Sequence, residues 1–365
     1  MKLKILSPVH IGSGEEKSLS PYSDYVYQGD QVYYIDHNKL ENWILSQSDP
    51  DRIMEEYIKG IKQRDALREF FIEHKLNVED FSTHRIPILG NPRKEKINRT
   101  ITNAGFPYIP GSTIKGAIRT AVLWKIQKHK KDRTTLMEYI WNNRKGPYIG
   151  EDIFGRFDKD VMKFLHVSDT GLFQREDLEI RNIQRISITN PSEEIPSWVE
   201  VINSDKEVSF DIKIKTREID NPPSDLRGFL SPNTGVKSIL KALNEFSKEI
   251  IEFELNALRK MYFVPIMEFY TKLNKEINNL SEKEAIMRIG FGKTFFDNTI
   301  DLLFKDDERI MDKIKEKTHK IPKYRIGYSR STGEPVSPFP ITRWIYFDAR
   351  GNPEGVLGWI KIKED

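Results

Sequence analysis

The chain has 365 residues, and its 58 Lys and Arg residues nearly balance its 55 Asp and Glu residues, which leaves a formal net charge of +3. As a bulk number, this balance argues against a histone-like or tail-type nucleic-acid binder. Cysteine is absent, which excludes disulfides, Cys-ligated metal centres and Cys nucleophiles. The length predicts two domains or one large domain, because domains of about 100–200 residues are typical.

Hydrophobic residues make up 38% of the chain and aromatic residues 11%, which is enough to form a packed core. No apolar run reaches the ~18 residues of a membrane-spanning helix. The N-terminus lacks the ~7–15-residue apolar core of a signal peptide. We therefore expect a cytoplasmic protein that binds no membrane.

The first predicted elements are strands joined by short loops. Lys2–Leu6 is short and apolar, and the Gly-containing segment Ile11–Gly14 predicts a loop after it. Tyr25–Tyr27 and Gln31–Ile35 flank Gly29-Asp30. This arrangement predicts a β-hairpin, because both turn positions favour positive φ.

The next segments alternate in character. Apolar residues recur at helical spacing over residues 51–75. Residues 81–106 lack this periodicity and contain a basic cluster, which predicts a long exposed loop. The turn at residues 107–111 then leads into a helix that Ser112 or Thr113 could cap.

The charge is concentrated in one part of the chain. Residues 93–133 contain eleven Lys and Arg residues and two acidic ones, a local charge of +9 that leaves −6 for the remainder. A second basic run spans Arg309–Arg330. A polyanion site explains such segments, and solvated helix faces are the alternative explanation.

Strand patterns follow, and then a boundary. Residues 164–168, 178–188 and 207–215 have the alternation of strands, and Asn221-Pro-Pro-Ser is typical of a linker. We predict two domains on either side of it, spanning residues 1–222 and 223–365.

The C-terminal part is predicted to be largely helical. Helical periodicity covers residues 236–259 and 265–278, and a capping box at Ser281-x-x-Glu284 predicts a short helix that ends at Gly290. Strands are predicted to close the chain at residues 344–347 and 356–363. Strands interspersed with helices, without regular βαβ units, predict an α+β fold.

One candidate site is the start of the helix after Pro110. Free backbone N–H groups, the hydroxyls of Ser112 and Thr113, and the side chains of Lys115 and Arg119 would together suit a phosphate. Gly116 costs the helix ~1 kcal/mol relative to Ala. Its presence predicts either a close approach by a partner or close packing of another helix.

A second candidate is Gly290-Phe-Gly-Lys-Thr294, which ends like a phosphate loop. A Walker motif requires Gly where this chain has Met287, and a strand where we predict a helix. Nucleotide triphosphate hydrolysis is therefore disfavoured. A Gly-rich turn with Lys293 could contact a phosphate backbone, and a helix C-cap followed by a turn is the alternative.

His10 lies beside the first Gly loop, where it could serve as a general base or as a polar or stacking loop residue. The spacing fixes no acidic partner for it. The other six histidines are scattered without metal-ligand spacing. We therefore predict no metal and no cofactor.

Several motifs resemble the RAMP superfamily, the repeat-associated proteins of CRISPR systems. The segment Tyr108-Ile-Pro-Gly-Ser-Thr-Ile-Lys-Gly-Ala-Ile-Arg119 is similar to the superfamily's Pro-Gly-Ser-x-x-Lys-Gly-x-x-Arg signature. Supporting segments occur in the family's order. They are Leu6–Gly14, Ile153–Gly155, Leu165–Asp169, Arg181–Ile186 and Arg288–Gly292.

Within the superfamily, the chain most resembles the fifth-subunit family of the type III-A (Csm) effector complex. The resemblance implies two ferredoxin-like (RRM-like) modules with helical insertions. It also implies a cap subunit that binds the 3′ part of the crRNA, stacks on the repeated backbone RAMP subunit, and meets other Csm subunits and target RNA indirectly. The family is further linked to maturation of the crRNA 3′ end.

The resemblance implies an RNA-binding set that includes both Gly loops and the signature helix. The set is His10, Gly12, Ser13, Gly14, Gly111, Ser112, Thr113, Lys115, Gly116, Arg119, Arg181, Arg185, Gly290, Gly292 and Lys293. Candidate residues for stacking on bases are Tyr22, Tyr25, Tyr27 and Phe106, for which a place in the core is the alternative.

Two departures from the family pattern bear on function. Arg325–Gly333 is a second candidate for the C-terminal Gly loop, and neither Asp24 nor Asp36 has the context of the backbone subunit's catalytic Asp. We therefore expect a non-catalytic subunit. The alternatives are a metal-independent crRNA-processing endoribonuclease that uses His10, and a scaffold that binds only protein.

Overall fold

The computed structural model describes residues 1–14, 18–64, 66–141, 150–190, 194–215, 223–261, 263–320, 326–329, 332–348 and 350–365. The strands are, in chain order, β1 (Lys2–Ile5), β2 (Ser18–Leu19), β3 (Tyr25–Gln28), β4 (Gln31–Ile35), β5 (Ser82–Leu89), β6 (Ile97–Asn98), β7 (Thr102–Asn103), β8 (Phe106–Pro107), β9 (Leu165–Val167), β10 (Leu178–Ser187), β11 (Glu194–Ile202), β12 (Glu207–Ser209), β13 (Ile212–Ile214), β14 (Glu284–Arg288), β15 (Thr342–Phe347), β16 (Pro353–Val356) and β17 (Trp359–Lys363).

The α-helices are α1 (His37–Leu45), α2 (Pro50–Gln63), α3 (Leu67–Glu73), α4 (Gly111–His129), α5 (Thr134–Trp141), α6 (Glu151–Phe154), α7 (Gly235–Lys260), α8 (Met267–Asn278), α9 (Phe295–Asn298) and α10 (Glu308–His319). Among the described residues, no helix combines the length and apolar character needed to cross a bilayer. The mixed α+β class predicted from the sequence is confirmed.

A four-stranded antiparallel sheet joins the two ends of the chain. Its strand order is β12-β1-β17-β14, so the first and last strands are central neighbours, with Leu3 opposite Ile362. Helix α7 packs on this sheet and covers the edge of β14, where Asn244 and Ser247 bond to backbone groups of that strand. A covered edge cannot pair with another chain.

A nine-stranded sheet forms the second layer. Its path is β2-β6-β11-β10-β5-β4-β3, and β15 and β16 extend from the side of β10. Strand β10 is antiparallel to β11 and β15 but parallel to β5. One face of this sheet joins the main core, and the other carries a small apolar cluster of Ile183, Val199, Val201, Tyr346 and Leu357.

Helix α4 lies in the main core, where it packs against α7. Its buried face includes Ile114, Ile118, Ala121 and Trp124, and the Trp124 ring lies 5.4 Å from that of Phe246 on α7. Helices α1 to α3 form a separate small core with the hairpin β3–β4. Both Gly loops therefore emerge from the sheet layers rather than from this helical insertion.

Most of the observed helices and strands agree with those predicted from the sequence, and three segments differ. Residues 81–106 are not a long loop: β5 spans eight of them and pairs with β4 and β10, although its interior contains a proline. Residues 284–288 form a strand rather than a helix, since the Ser281–Glu284 bonds close a turn instead of starting a helix. The segment 207–215 forms two strands instead of one.

Two sequence-based features fall partly outside the described residues. The predicted linker includes Asn221 and Pro222, and the second candidate Gly loop includes Arg325, Arg330 and Ser331. The boundary at 222 stays a prediction. Strands from both sides of it share both of the larger sheets.

Candidate nucleic-acid interface

The two Gly loops predicted at distant positions of the chain contact each other. The backbone N–H of Phe291 donates a hydrogen bond to the carbonyl oxygen of His10 at 2.9 Å. Gly290 has φ 68°, and a Cβ there would lie 2.5 Å from the same carbonyl oxygen. A side chain at residue 290 is therefore excluded by both the backbone conformation and the close approach.

The first loop is fixed from its other side by the basic segment. Gly12 bridges to Thr100, and the N–H and hydroxyl of Ser13 both donate to the carbonyl oxygen of Arg99. Gly12 and Gly14 are exposed, with open space above Gly14. The loop therefore presents backbone rather than side chains to the surface.

The second loop is held by a buried ion pair that sequence reasoning missed. Arg288, at the end of β14, contacts the Asp297 carboxylate at 2.7 Å, and both side chains are almost fully buried. The same guanidinium donates to the carbonyl oxygens of Gly292 at 2.8 Å and Leu357 at 2.9 Å. A strand thus precedes the loop, but Met287 still occupies the position where a Walker motif requires Gly.

This loop exposes an aromatic ring. Phe291 is 37% exposed between two glycines, and its ring lies 4.9 Å from that of Trp344 on β15. Arg185 on β10 is directly opposite Trp344 in the sheet, and Ile195 on β11 lies on the other side of Arg185. Among the described residues the Arg185 side chain makes no ion pair or hydrogen bond.

We call the surface formed by Phe291, Trp344, Arg185 and Ile195 the aromatic platform. Rings and a guanidinium with free faces are what unpaired bases stack on. Phe291 and Trp344 were not among the predicted contacts. A phenylalanine between two glycines was the sequence signal for the first, whereas the position of Trp344 depends on long-range pairing.

His10 lies beneath the platform rather than on it. It is 4% exposed, its Nδ1 donates to the carbonyl oxygen of Glu200 at 2.7 Å, and its ring meets the edge of Phe291 at 5.8 Å. Burial lowers the pKa of His10 below its ordinary value, although the Glu200 carbonyl opposes this effect. The ring is therefore neutral at pH 7.

Helix α4 begins differently from the prediction. Its first N–H, at Gly111, donates to the Asp169 carboxylate at 2.7 Å, so Asp169 supplies the cap that was predicted for Ser112 or Thr113. Those two residues instead lie in the first turn. Gly111 packs directly on the backbone of residues 167 and 168, where no side chain would fit.

The second turn of α4 faces outwards. Gly116 is exposed, with nothing within 4 Å of the position of a Cβ, so close packing by another helix does not explain this glycine. Lys115 beside it makes no ion pair or hydrogen bond among the described residues. Burial lowers the pKa of Lys115 from its usual value. Ala117, on another side of the helix, lines a crevice with Arg288 and Asp297, the ion pair that holds the second loop.

Other predicted contacts already have partners within the chain. Arg119 binds Asp160 at 2.7 Å and stacks on Phe154, and Arg181 binds both Glu179 and Glu354 at 2.9 and 3.0 Å. Lys293 is half-buried, and burial lowers its pKa.

The predicted stacking residues lie away from the platform. Tyr25 is buried and its hydroxyl donates to the carbonyl oxygen of Glu95, while Phe106 is covered by Arg175. Tyr22 and Tyr27 are half-buried near the β3–β4 hairpin. Within the described residues, no three His, Asp or Glu side chains cluster as metal ligands would.

The charge of the basic segment is largely neutralised within the fold. At least six of its eleven cations contact carboxylates in the described residues. These cations are Lys94, Arg99, Arg119, Lys125, Lys128 and Lys130. The local +9 of the sequence therefore overstates the charge available to a ligand.

A model of the RAMP superfamily matches residues 2–296, which include both Gly loops and the signature helix. The chain belongs to the RAMP superfamily. This confirms the family predicted from the motifs.

Relatives within the superfamily agree with the predicted subfamily. The chain is 26% identical to the CRISPR system Cms protein Csm5 of Methanocaldococcus jannaschii, over 99% of this chain and 88% of that protein. It is 25% identical to the Csm5 protein of Streptococcus thermophilus, over 60% and 64% of the two chains.

Solved structures give the same result for the fold. A chain of the Csm–crRNA–target RNA ternary complex of a type III-A CRISPR–Cas system matches with TM-score 0.76 and 25% identity, over 100% of this RAMP chain and 99% of that one. The crystal structure of T. onnurineus Csm5 matches with TM-score 0.67 and 23% identity, over 99% and 100%. The second likeness concerns the fold alone.

Proposed function

We propose that this RAMP protein is the Csm5-like cap subunit of a type III-A effector complex, where it binds the 3′ part of the crRNA. The observation that carries the proposal is the meeting of the two Gly loops at His10, beneath the aromatic platform with its Arg185 and beside Lys293 of the second loop. Backbone, rings and cations lie together there, as non-sequence-specific RNA binding requires.

The contacts divide by chemistry. Lys115, Arg185 and Lys293 are the cations of the predicted set whose side chains form no direct ion pair or hydrogen bond among the described residues, so they would hold phosphates. Phe291 and Trp344 would stack on bases. Arg119 and Arg181 would act mainly by fixing the surfaces on which they lie, because their charges are already paired.

The likeness to Csm5 proteins and to a chain of the Csm–crRNA–target RNA complex supports a place beside the repeated backbone RAMP subunit, with other Csm subunits and target RNA nearby. It also supports a part in 3′-end maturation. We infer that β1, β12, β14 and β17 with helix α7 form one ferredoxin-like module and that the sheet around β10 belongs to the other. The antiparallel four-stranded sheet supports the first assignment.

We further propose that the subunit is non-catalytic. A general base must reach the hydroxyl from which it takes a proton, and His10 is buried under Phe291 with one ring nitrogen engaged by Glu200. The purified chain should leave crRNA uncut in EDTA. Cleavage that is abolished by His10→Ala would contradict this part of the proposal.

Crosslinking tests the main claim. The complex is assembled on a crRNA with 4-thiouridine at its 3′ end, irradiated and digested for mass spectrometry, with a 5′-labelled crRNA as the matched control. The proposal predicts 3′-specific adducts in peptides covering residues 10–14, 111–119 or 288–294. Adducts of the 3′ label only in other subunits would refute it.

A further inference from the structure

A second concave surface lies apart from the platform, at the tip of the β3–β4 hairpin. It is a groove of about 430 Å³ between the hairpin, the start of α3 and the loop that follows β5. We call it the hairpin groove. Its lining includes Tyr27, Arg68, Glu69, Asn91, Arg93 and Lys94. A volume of this size is within the range of small-molecule sites.

Two arginines of the groove, unlike most basic residues of α4, are not held in ion pairs with acidic side chains in the part of the fold that the structure describes. Arg68 and Arg93 are exposed, and among the described residues their side chains make no ion pair or hydrogen bond. Glu69 is the acidic residue of the described lining, and it lies 3.5 Å from Lys94. The described lining therefore has an excess of positive charge directed at open space.

The loop that carries Arg93 is held in place by hydrogen bonds. The Tyr25 hydroxyl donates to the carbonyl oxygen of Glu95 at 2.6 Å, and the Asn91 side chain accepts from the N–H of Arg93 at 2.8 Å. Arg93 has φ 50°, a left-handed conformation that is uncommon for a residue with a side chain. These contacts hold the guanidinium-bearing turn over the groove.

We propose that the hairpin groove binds a nucleoside monophosphate unit, with the phosphate at Arg68 and Arg93 and the base against Tyr27. Arginine presents a planar fork that matches phosphate oxygens. The half-buried ring of Tyr27 supplies a π-face that accepts any base. Asn91 and Lys94 complete a polar rim.

The unit can come from RNA or from a free nucleotide. The RNA source rests on the proposed function. The chain itself runs from the groove to the first Gly loop, because residues 93–100 lead from Arg93 to Thr100 beside Gly12. Seven residues span at most ~25 Å, so one single strand could occupy both surfaces.

Calorimetric titration of the full-length protein with UMP, uridine and inorganic phosphate tests the groove. Arg68→Ala combined with Arg93→Ala should weaken UMP binding at least about tenfold, and uridine without its phosphate should bind more weakly than UMP. Tyr27→Ala should weaken UMP binding about tenfold, whereas Tyr27→Phe should retain it. Lys59→Ala with Lys62→Ala, which removes two exposed charges from α2, is the matched control and should change nothing.

Fluorescence anisotropy with labelled oligouridines of about 4 and about 16 nucleotides identifies the source. If RNA supplies the unit, the Arg68/Arg93 double variant lowers the log–log salt slope for the longer strand by ~1.4, at ~0.7 per lost contact. UMP binding that is lost in the variant, with an unchanged RNA slope, supports a free-nucleotide site.

UMP binding that is unchanged in the Arg68/Arg93 variant overturns the inference, and so does a wild-type protein that binds no UMP. Both results leave the proposed function intact if Lys115→Ala with Arg185→Ala still weakens binding of the long strand. Protection of the groove by another protein subunit but not by RNA or UMP also overturns it.

Discussion

The two ends of helix α4 use lysine in opposite ways. At its last turns Lys125 binds Glu245 at 3.0 Å and Lys128 binds Glu249 at 2.9 Å, so their charges join α4 to α7. At its second turn Lys115 has no such partner among the described residues and lies beside the exposed Gly116. Lysines that look alike in the sequence thus hold two helices together at one end of α4 and are available to a ligand at the other.

The largest effect is expected where a cation is most completely used by the fold. Arg288→Ala leaves the Asp297 carboxylate buried and unpaired, so the free energy of unfolding should fall by about 3–5 kcal/mol. Urea unfolding measures this. Arg52→Ala, at an exposed pair with Glu56, is the control and should cost at most about 1 kcal/mol. Equal losses in the two variants would show that the buried pair does not hold the loop.

The next effect concerns binding instead of folding. Phe291→Ala should weaken binding of single-stranded RNA by about 1–3 kcal/mol, because it removes an exposed ring from the platform. Phe291→Tyr should bind like the wild type. Fluorescence anisotropy at fixed salt gives both affinities, and an alanine variant that binds normally would remove the platform from the interface.

A smaller effect is expected at the paired end of α4. Lys125→Ala with Lys128→Ala removes two partly exposed ion pairs, which should lower the free energy of unfolding by about 1 kcal/mol or less per pair. Thermal unfolding measures the loss. RNA affinity should stay within error, and a marked drop in affinity would mean that these lysines leave Glu245 and Glu249 for RNA.

The smallest effect is a pH dependence at His10. Burial lowers the pKa of His10 in the folded protein below the ordinary 6.5, so below that pH the unfolded chain binds more protons. This contribution to stability is present above pH 6.5 and is lost as the pH falls towards the folded pKa. The unfolding free energy of the wild type minus that of His10→Gln should therefore decrease from pH 7 to pH 5. An increase in this difference would contradict the burial of a neutral ring.

The sequence predicted the elements whose signals are local. The hairpin around Gly29 follows from turn chemistry, and the predicted helix over 236–259 matches α7 within about one residue at each end. The strand at 284–288 was missed because Ser281-x-x-Glu284 has the sequence of a capping box, and the Ser281 N–H does donate to the Glu284 carboxylate as it would at a helix start. Pairing with β17, far along the chain, decides the outcome instead.

The candidate site was predicted in part for a similar reason. The motifs located both Gly loops and Lys115, since glycines and basic residues leave a local pattern. Arg119 pairs with Asp160, and Arg181 pairs with Glu354. No regular sequence spacing connects the two members of either pair. Charge summed along the sequence therefore located the segment but not the cations that stay available.

The salt dependence of single-stranded RNA binding tests the central claim most directly. Lys115→Ala with Arg185→Ala should lower the log–log slope by ~1.4, and Lys125→Ala with Lys128→Ala should leave it unchanged, although both variants lose two charges. Equal slopes in the two double variants would contradict the account, because the unpaired cations Lys115 and Arg185 would then contribute no more to RNA binding than the paired Lys125 and Lys128.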